Sequence, residues 1–238
     1  MRARMLLLLL AVAPIVAGCS NFSYYLQSVD GQMSLLHKRQ PIAHVLADPA
    51  TPPALKNRLE RALTIREFAS RDLKLPDNQS YRSYADLGRP FVVWNVFAAE
   101  EFSIKPRQWC FLIAGCVGYR GYFAQAKAEE YARKLSDQGL NVFVAGVPAY
   151  STLGWFDDPL LNTFINYPDY ELARLMFHEL AHQLVYVKGD SEFNESFAAT
   201  VEYTGVERWI ALSGDERMRA EFGRSQRRRA QFSALVLK

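Results

Sequence analysis

The feature that most constrains this chain is a helical pattern that begins at Asp169 and ends at Gly189. Asp169 follows Pro168 and is a residue type that caps helices, and Gly189 is a common helix stop. The segment His178-Glu179-Leu180-Ala181-His182 stands at the centre of this pattern. Positions four apart lie about 400° round a helix, so both imidazoles leave the same face and can converge on one metal ion. The pattern therefore predicts a metal-binding helix.

The residue types of this motif favour zinc. Neutral imidazole suits Zn²⁺, and Glu179 lies where it can reach a zinc-bound water instead of the metal. Zinc lowers the pKa of such a water to about 7, so that a carboxylate can take its proton. This predicts hydrolysis of an amide bond with Glu179 as the general base. A chance match is expected in roughly one chain in a hundred of this size, but the uncharged neighbours of both histidines argue against chance.

A catalytic zinc site needs a third protein ligand and one open position. The segment Asn194-Glu195-Ser196-Phe197-Ala198 begins the next predicted helix and offers Glu195 in its first turn. A short loop would fold this helix back antiparallel and place Glu195 over the histidine pair. The alternative is a carboxylate favoured only by the helix dipole. The rival carboxylates are Asp190, Glu192 and Glu202. We expect the first two to be solvated in the loop and the third to support a metal ligand from behind.

The N-terminal residues 1–18 read as a bacterial signal peptide, with two arginines, a short apolar run and small residues before Cys19. The apolar run is shorter than the roughly 20 residues that span a membrane, so no transmembrane span is expected. Val16-Ala17-Gly18-Cys19 resembles a lipobox, in which the cysteine is acylated; the alternative is an ordinary secretory signal. Two or three acyl chains would anchor the protein stably. With Ser20 following, we expect a lipid anchor at the periplasmic face of the outer membrane.

Charge and cysteine content narrow the functional classes. Removal of residues 1–18 takes away Arg2 and Arg4 and leaves a formal charge of +1, two less than the +3 of the whole chain. So small a charge gives no electrostatic case for nucleic-acid binding. Cys110 and Cys116 then remain, and in an oxidising periplasm we expect them to form a disulfide. A structural zinc site would need more cysteine or histidine nearby.

The remaining predicted elements are mixed in type along the chain. They are a tether with a turn at Asp30-Gly31 and a short helix within 19–40, a helix from Thr51 to Leu75, a buried strand at 91–97, a strand at 109–117 bent at Gly115, a helix at 124–138, a strand at 141–146, a helix that starts at Asn194 and a polar helix from near Gly214 to Lys238. This order predicts a single α+β domain at 41–238, with a small mixed or antiparallel sheet and a C-terminal helical part that carries the metal helix. The chain ends without a stop signal, as a truncated copy would.

The two histidines followed by Asn194-Glu195-Ser196-Phe197-Ala198 resemble the gluzincin metallopeptidases, where the glutamate of such a segment is the third zinc ligand. A narrower resemblance, to a bacterial lipoprotein aminopeptidase family, covers nearly the whole mature chain. Besides the lipobox, it rests on Trp109-Cys110, on the run from Tyr119 to Phe123, on the run from Ala149 to Trp155 and on the run from Phe177 to Gln183. The resemblance implies a zincin-like fold, a Zn²⁺ cofactor, a peptide substrate and aminopeptidase activity.

Some functional residues are suggested by this resemblance and not by a motif. Tyr150 and Tyr119 are the candidates for stabilising the oxyanion, as a phenol does in related enzymes. By analogy with zincins, Asn141–Gly146 would be the strand that pairs with the substrate. The segment that grips a free amine in the large gluzincin aminopeptidases, Gly-x-Met-Glu-Asn, is absent. The candidates that could replace it are Asp157, Asp158, Glu100 and Glu101.

Two alternatives to a peptidase stay open at this point. The same residues would serve a lipid-anchored amidase that acts on cell-wall peptides, and nothing in the sequence separates it from a peptidase. The other alternative is an envelope binding protein with a non-catalytic zinc site. A structural site is normally closed by four protein ligands, whereas three convincing ones are present, which favours an enzyme.

Overall fold

The computed structural model of the chain describes residues 23–111, 115–213 and 215–236. The predicted signal peptide, Cys19 and Ser20 lie outside these residues. Within them the protein has the predicted α+β class, with seven helices and eight short strands. None of the helices described is long and apolar enough to cross a membrane.

The helices and strands have the following bounds. The helices are α1 (residues 23–38), α2 (Ile42–Ala47), α3 (Pro53–Arg71), α4 (Gln125–Ser136), α5 (Asp169–Leu184), α6 (Ser191–Ser213) and α7 (Glu216–Val236). The strands are β1 (Gln40–Pro41), β2 (Ser83–Ala85), β3 (Val93–Ala99), β4 (Trp109–Phe111), β5 (Gly115–Val117), β6 (Arg120–Tyr122), β7 (Asn141–Val147) and β8 (Leu160–Leu161). The chain divides into two compact units, one with the described residues up to Lys38 and Pro90–Pro148, the other with Arg39–Arg89 and the chain from Ala149 onwards.

The first unit is built on an antiparallel sheet with the strand order β6-β3-β7. Side chains along β3 alternate between buried and partly exposed, so that Trp94, Val96 and Ala98 enter the core. Such alternation is expected of a sheet with one covered face. Helix α4 packs on β3 and β7 and contributes Leu135 to the core. β7 pairs with β3 alone among the described strands, and its predicted role as a substrate strand stays a prediction.

Local predictions in the first unit are corrected in three places. The predicted turn at Asp30-Gly31 is wrong, because α1 continues through both residues, and the bare Cα of Gly31 admits the ring of Phe123, which a Cβ would overlap. The predicted buried strand at 91–97 is shifted two residues and only half-buried. The single strand predicted over 109–117 is instead two antiparallel strands, β4 and β5. Cys110 lies opposite Cys116 in their register, and the two are joined by the predicted disulfide.

The second unit packs four longer helices, α3, α5, α6 and α7, beside a small sheet. In that sheet β1 pairs antiparallel with β2, and β2 pairs parallel with β8, so it is mixed. Helix α5 lies against both α3 and α6. Its fully buried side chains include Phe177, which contacts Phe68 of α3 with ring centroids 5.9 Å apart. The apolar side of α5 is therefore fixed in the core, with His178 partly exposed and His182 buried.

The metal helix α5 begins and ends at other residues than the sequence predicts, and tertiary contacts explain the difference. Asp169 is the first helical residue and makes no cap; its carboxylate instead accepts hydrogen bonds from Arg58 and Arg61 of α3. The helix ends at Leu184, five residues before Gly189. The reason is that the backbone N–H and C=O of Val187 are bonded to the side chain of Asn194, at 2.7 and 2.8 Å.

Two neighbouring helices also begin elsewhere than predicted. Helix α6 begins at Ser191, three residues before the predicted start, because Asp190 acts as its N-cap and accepts a hydrogen bond from the backbone N–H of Phe193 at 3.0 Å. Glu195 therefore lies beyond the first turn. Helix α3 begins at Pro53, after Pro52 and without a side-chain cap, so Thr51 is not its N-cap.

Candidate metal centre

Helices α5 and α6 bring two imidazoles and one carboxylate together. The Nε2 atoms of His178 and His182 are 3.1 Å apart. Glu195 reaches them from α6, with one carboxylate oxygen 3.3 Å from His178 Nε2 and the other 3.5 Å from His182 Nε2. Two imidazoles and one carboxylate thus face a common point. These are the three residues that the sequence predicts as metal ligands.

These distances fit a metal ion. Donors held about 2.0–2.1 Å from a tetrahedral zinc ion lie about 3.3 Å from one another. The separation of the two histidine nitrogens, 3.1 Å, is close to this value, and so is the nearest approach of Glu195 to each histidine, which is made by a different carboxylate oxygen in each case. Imidazole and carboxylate are also the donor types that zinc accepts. The group of His178, His182 and Glu195 could therefore hold a metal ion.

The outer nitrogen of His178 is held by a buried carboxylate. His178 Nδ1 lies 2.9 Å from an oxygen of Glu202, which can only accept, so Nδ1 donates and Nε2 is left as the lone-pair atom. The guanidinium of Arg174 donates to the other oxygen of Glu202 at 3.1 Å. Burial would raise the pKa of Glu202, but the bonds to His178 and the charge of Arg174 lower it. Burial would lower the pKa of His178, but the hydrogen bond to Glu202 and the charges of Glu179, Glu202 and Glu195 together raise it.

His182 lies in a different environment from His178. It is nearly fully buried, and its Nδ1 has no hydrogen-bond partner among the described residues. Burial, and then the nearby His178, lower the pKa of His182. The neutral imidazole is therefore favoured, which is the form that binds metal.

Glu179 lies between the histidines in sequence and is buried more deeply than Glu195. Burial raises the pKa of Glu179 to about 7, although the neighbouring His178 lowers it. The hydroxyl of Ser151 also hydrogen-bonds to Glu179 and lowers its pKa. A carboxyl group with such a pKa can accept and return a proton near neutral pH, as a general base requires.

Tyr81 is a neighbour of Glu179 that the sequence did not reveal. Its ring is buried, and its backbone has the left-handed φ of 63°, held by a hydrogen bond from its N–H to the carbonyl of Asp158 at 2.7 Å. Burial raises the pKa of Tyr81 well above its usual value, and the charges of Glu179 and Asp158 raise it further. The phenol therefore stays protonated. No local pattern distinguishes Tyr81 from the other tyrosines, so only the fold identifies it.

The two tyrosines proposed from the family resemblance lie in different units. Tyr150 is partly buried in the second unit, where burial, followed by the charge of Asp158, raises its pKa. Tyr119 belongs to the first unit and packs against Phe97, with ring centroids 5.7 Å apart. Their role at an oxyanion stays a prediction for both.

The acidic residues suggested for binding a substrate amine also belong to different units. Asp158 is buried and accepts hydrogen bonds from the backbone N–H and the hydroxyl of Thr152, both at 2.9 Å, and its carboxylate lies 3.3 Å from the hydroxyl oxygen of Ser151. These hydrogen bonds stabilise the 151–158 loop, so the carboxylate of Asp158 is already bonded within the protein. Glu100 and Glu101 lie in the first unit, directly after β3.

Comparison with known proteins gives one family. A family model described as "Putative aminopeptidase" matches residues 23–238. No curated protein matches the chain, and neither does any solved structure. Since the family match includes the metal centre and nearly all the rest of the sequence, this chain belongs to that aminopeptidase family.

Proposed function

We propose that the chain is a zinc-dependent peptidase of the aminopeptidase type, anchored by lipid at the bacterial cell envelope. The observation that carries the proposal is the convergence of His178, His182 and Glu195 beside a buried Glu179. The family match supports a peptide substrate. The envelope location rests on residues 1–19 of the sequence alone.

Each residue of the centre has a separate task in this proposal. His178, His182 and Glu195 would hold the zinc ion, and Glu202 would keep His178 turned with Nε2 inward. A bound zinc ion would polarise the substrate carbonyl and make a water molecule more acidic. Glu179 would take one proton from the water as the water oxygen bonds to the carbonyl carbon, and would deliver that proton to the leaving nitrogen as the carbon–nitrogen bond breaks.

A phenol would stabilise the negative charge that develops on the carbonyl oxygen. Tyr150 and Tyr119 remain the candidates from the family resemblance, and Tyr81 joins them because its protonated phenol lies near Glu179. A protonated phenol can donate a hydrogen bond to an oxyanion, whereas a phenolate cannot. Tyrosine-to-phenylalanine variants of the three would separate them by the loss of kcat.

The decisive experiment measures zinc content and peptide cleavage in the unmodified protein and in Glu179→Gln. The amide is nearly isosteric but cannot take the proton, so the variant should retain zinc and lose cleavage by at least about a hundredfold. Glu60→Gln, on the exposed side of α3, is the matched control and should cleave normally. Equal cleavage by Glu179→Gln would refute the mechanism.

The same assay distinguishes the aminopeptidase from its alternatives. Peptides with a free N-terminal amine should be cleaved, and the same peptides with a blocked amine should resist. Cleavage of blocked peptides or of cell-wall peptides instead would indicate an endopeptidase or the amidase. Zinc bound without cleavage of any of these would indicate the binding protein.

A further inference from the structure

Exposed aromatic side chains flank the metal helix at Trp155, Phe156 and Tyr186, which we call the aromatic rim. Trp155 is 77% exposed, whereas the other three tryptophans of the chain are buried. Phe156 and Tyr186 are about half exposed. Large exposed apolar side chains that lie close to a functional site commonly mark a binding surface.

The loop that carries Trp155 and Phe156 is attached to the catalytic side of α5. Its first residue, Ser151, hydrogen-bonds to Glu179. Further along, a Cβ on Gly154 would lie 3.5 Å from the side chain of Gln183, the neighbour of His182. The loop therefore lies beside Glu179, the candidate base, and beside Gln183, which follows the candidate ligand His182.

The same loop is rigidly shaped. The carboxylate of Asp158 accepts two hydrogen bonds from Thr152, one from its backbone N–H and one from its hydroxyl, and that hydroxyl accepts another from the backbone N–H of Phe156 at 3.1 Å. Leu153 and Gly154 both have left-handed φ values, 55° and 82°. A loop fixed in this way presents its aromatic residues without a large entropic cost on binding.

Tyr186 extends the rim beyond the C-terminal end of the metal helix. Its ring meets the ring of His182 edge to face, with centroids 6.1 Å apart. It lies two residues after the end of α5 and next to Val187, whose backbone is bonded to the side chain of Asn194. Aromatic surface is thus placed next to a metal ligand as well as next to the candidate base.

We propose that the aromatic rim binds the bulky apolar side chain of a peptide substrate next to the bond that is cleaved. This inference rests on the proposed function and adds a substrate class, peptides with phenylalanine, leucine or a similar residue at that position. We assign a substrate side chain to the rim because the loop with Trp155 is hydrogen-bonded to Glu179 through Ser151 and because Tyr186 contacts His182. Contacts with an apolar side chain give about 10–200-fold discrimination per group in known enzymes.

Phe193 supplies a matched control. It is an exposed aromatic residue close to Glu195 in sequence, but two helical positions separate them by about 200°, so it faces away from the ligand. Its ring stacks instead on Phe197, one turn further along α6, with centroids 6.2 Å apart. Phe193→Ala therefore removes an exposed aromatic side chain but leaves the three residues of the rim unchanged.

The first arm of the test compares cleavage of two peptides that differ only in phenylalanine or alanine at the scissile residue. The zinc-loaded protein should prefer phenylalanine by at least about tenfold in kcat/KM. Trp155→Ala should lose most of that preference with unchanged zinc content, and Phe193→Ala should retain it. An equal preference in Trp155→Ala and the unmodified protein would overturn the inference.

The second arm needs no cleavage. Because Trp155 is the exposed tryptophan, acrylamide quenching of tryptophan fluorescence reports on it in zinc-loaded Glu179→Gln. The phenylalanine peptide should protect this fluorescence and the alanine peptide should not, with Trp155→Phe as the signal control. If no peptide is cleaved, the proposed function fails, and the quenching experiment then tests the aromatic rim by itself. Absence of protection by the phenylalanine peptide would overturn the inference that the rim binds an apolar side chain.

Discussion

Nδ1 of His178 lies 2.9 Å from a carboxylate oxygen of Glu202, and no equivalent bond is made by Nδ1 of His182 among the described residues. The two histidines therefore differ in how firmly they are oriented, although they lie one turn apart on the same helix. Glu202 is in turn bonded to Arg174, which also binds Glu171 at 2.7 Å. The orientation of one metal ligand thus depends on a chain of charged groups along α5 and α6.

Glu202→Gln should weaken zinc binding by about 10–100-fold, the usual effect of removing a hydrogen-bond partner from a metal-bound histidine. The amide still fits the space but supplies no negative charge to the Nδ1–H. Competition with a chromogenic chelator would measure the change. Glu207→Gln, on the same helix, is the control and should bind zinc normally. Unchanged affinity in Glu202→Gln would show that this bond does not support the site.

Asn194→Ala should loosen the connection that positions Glu195. Asn194 is buried, and its loss leaves the N–H and C=O of Val187 without their partners, at a cost of about 1–3 kcal/mol. We expect a lower free energy of unfolding and weaker zinc binding, measured by denaturant titration and chelator competition. Asn57→Ala, on an exposed position of α3, should change neither. A variant with normal zinc affinity would separate Asn194 from the metal centre.

Those parts of the fold that depend on local sequence patterns could be predicted from the sequence. The α+β class and the existence of the longer helices follow from periodicity, and the grouping of His178, His182 and Glu195 follows from motif spacing on two packed helices. What the sequence missed depends on tertiary contacts. Asn194 decides where α5 ends, and the hydrogen bond to Asp158 decides where Tyr81 lies. Neither contact leaves a local signal, since each joins segments through side-chain or backbone bonds that only the folded chain brings together.

Cys19→Ser should release the protein from membranes. A serine cannot be acylated through sulfur, and the apolar run before it is too short to anchor the chain as a span. In bacteria that express the full chain, the unmodified protein should enter the detergent phase of a Triton X-114 separation. The variant should enter the aqueous phase, with zinc content unchanged. The prediction of a lipid anchor is wrong if both forms partition alike.

Asp169→Asn should destabilise the protein in a pH-dependent way. Burial would raise the pKa of Asp169, but the hydrogen bonds and charges of Arg61 and Arg58 outweigh it and lower this pKa. A carboxyl group whose pKa is lowered by folding stabilises the fold above its unfolded pKa of about 3.9 and ceases to do so as pH falls through the folded value. At pH 7 the variant should therefore lose about 1–3 kcal/mol of unfolding free energy, since the ion pairs are partly buried.

That loss corresponds to several degrees in Tm for a chain of this size. Thermal unfolding of the two proteins between pH 7 and pH 3 would measure it, and the difference in Tm should be full at pH 6–7 and shrink below about pH 4. Asp30→Asn, at an exposed position in the middle of α1, is the control and should change Tm far less. A Tm difference that stays constant down to pH 3 would mean that the side-chain shape of Asp169, and not its charge, stabilises the junction between α3 and the metal helix.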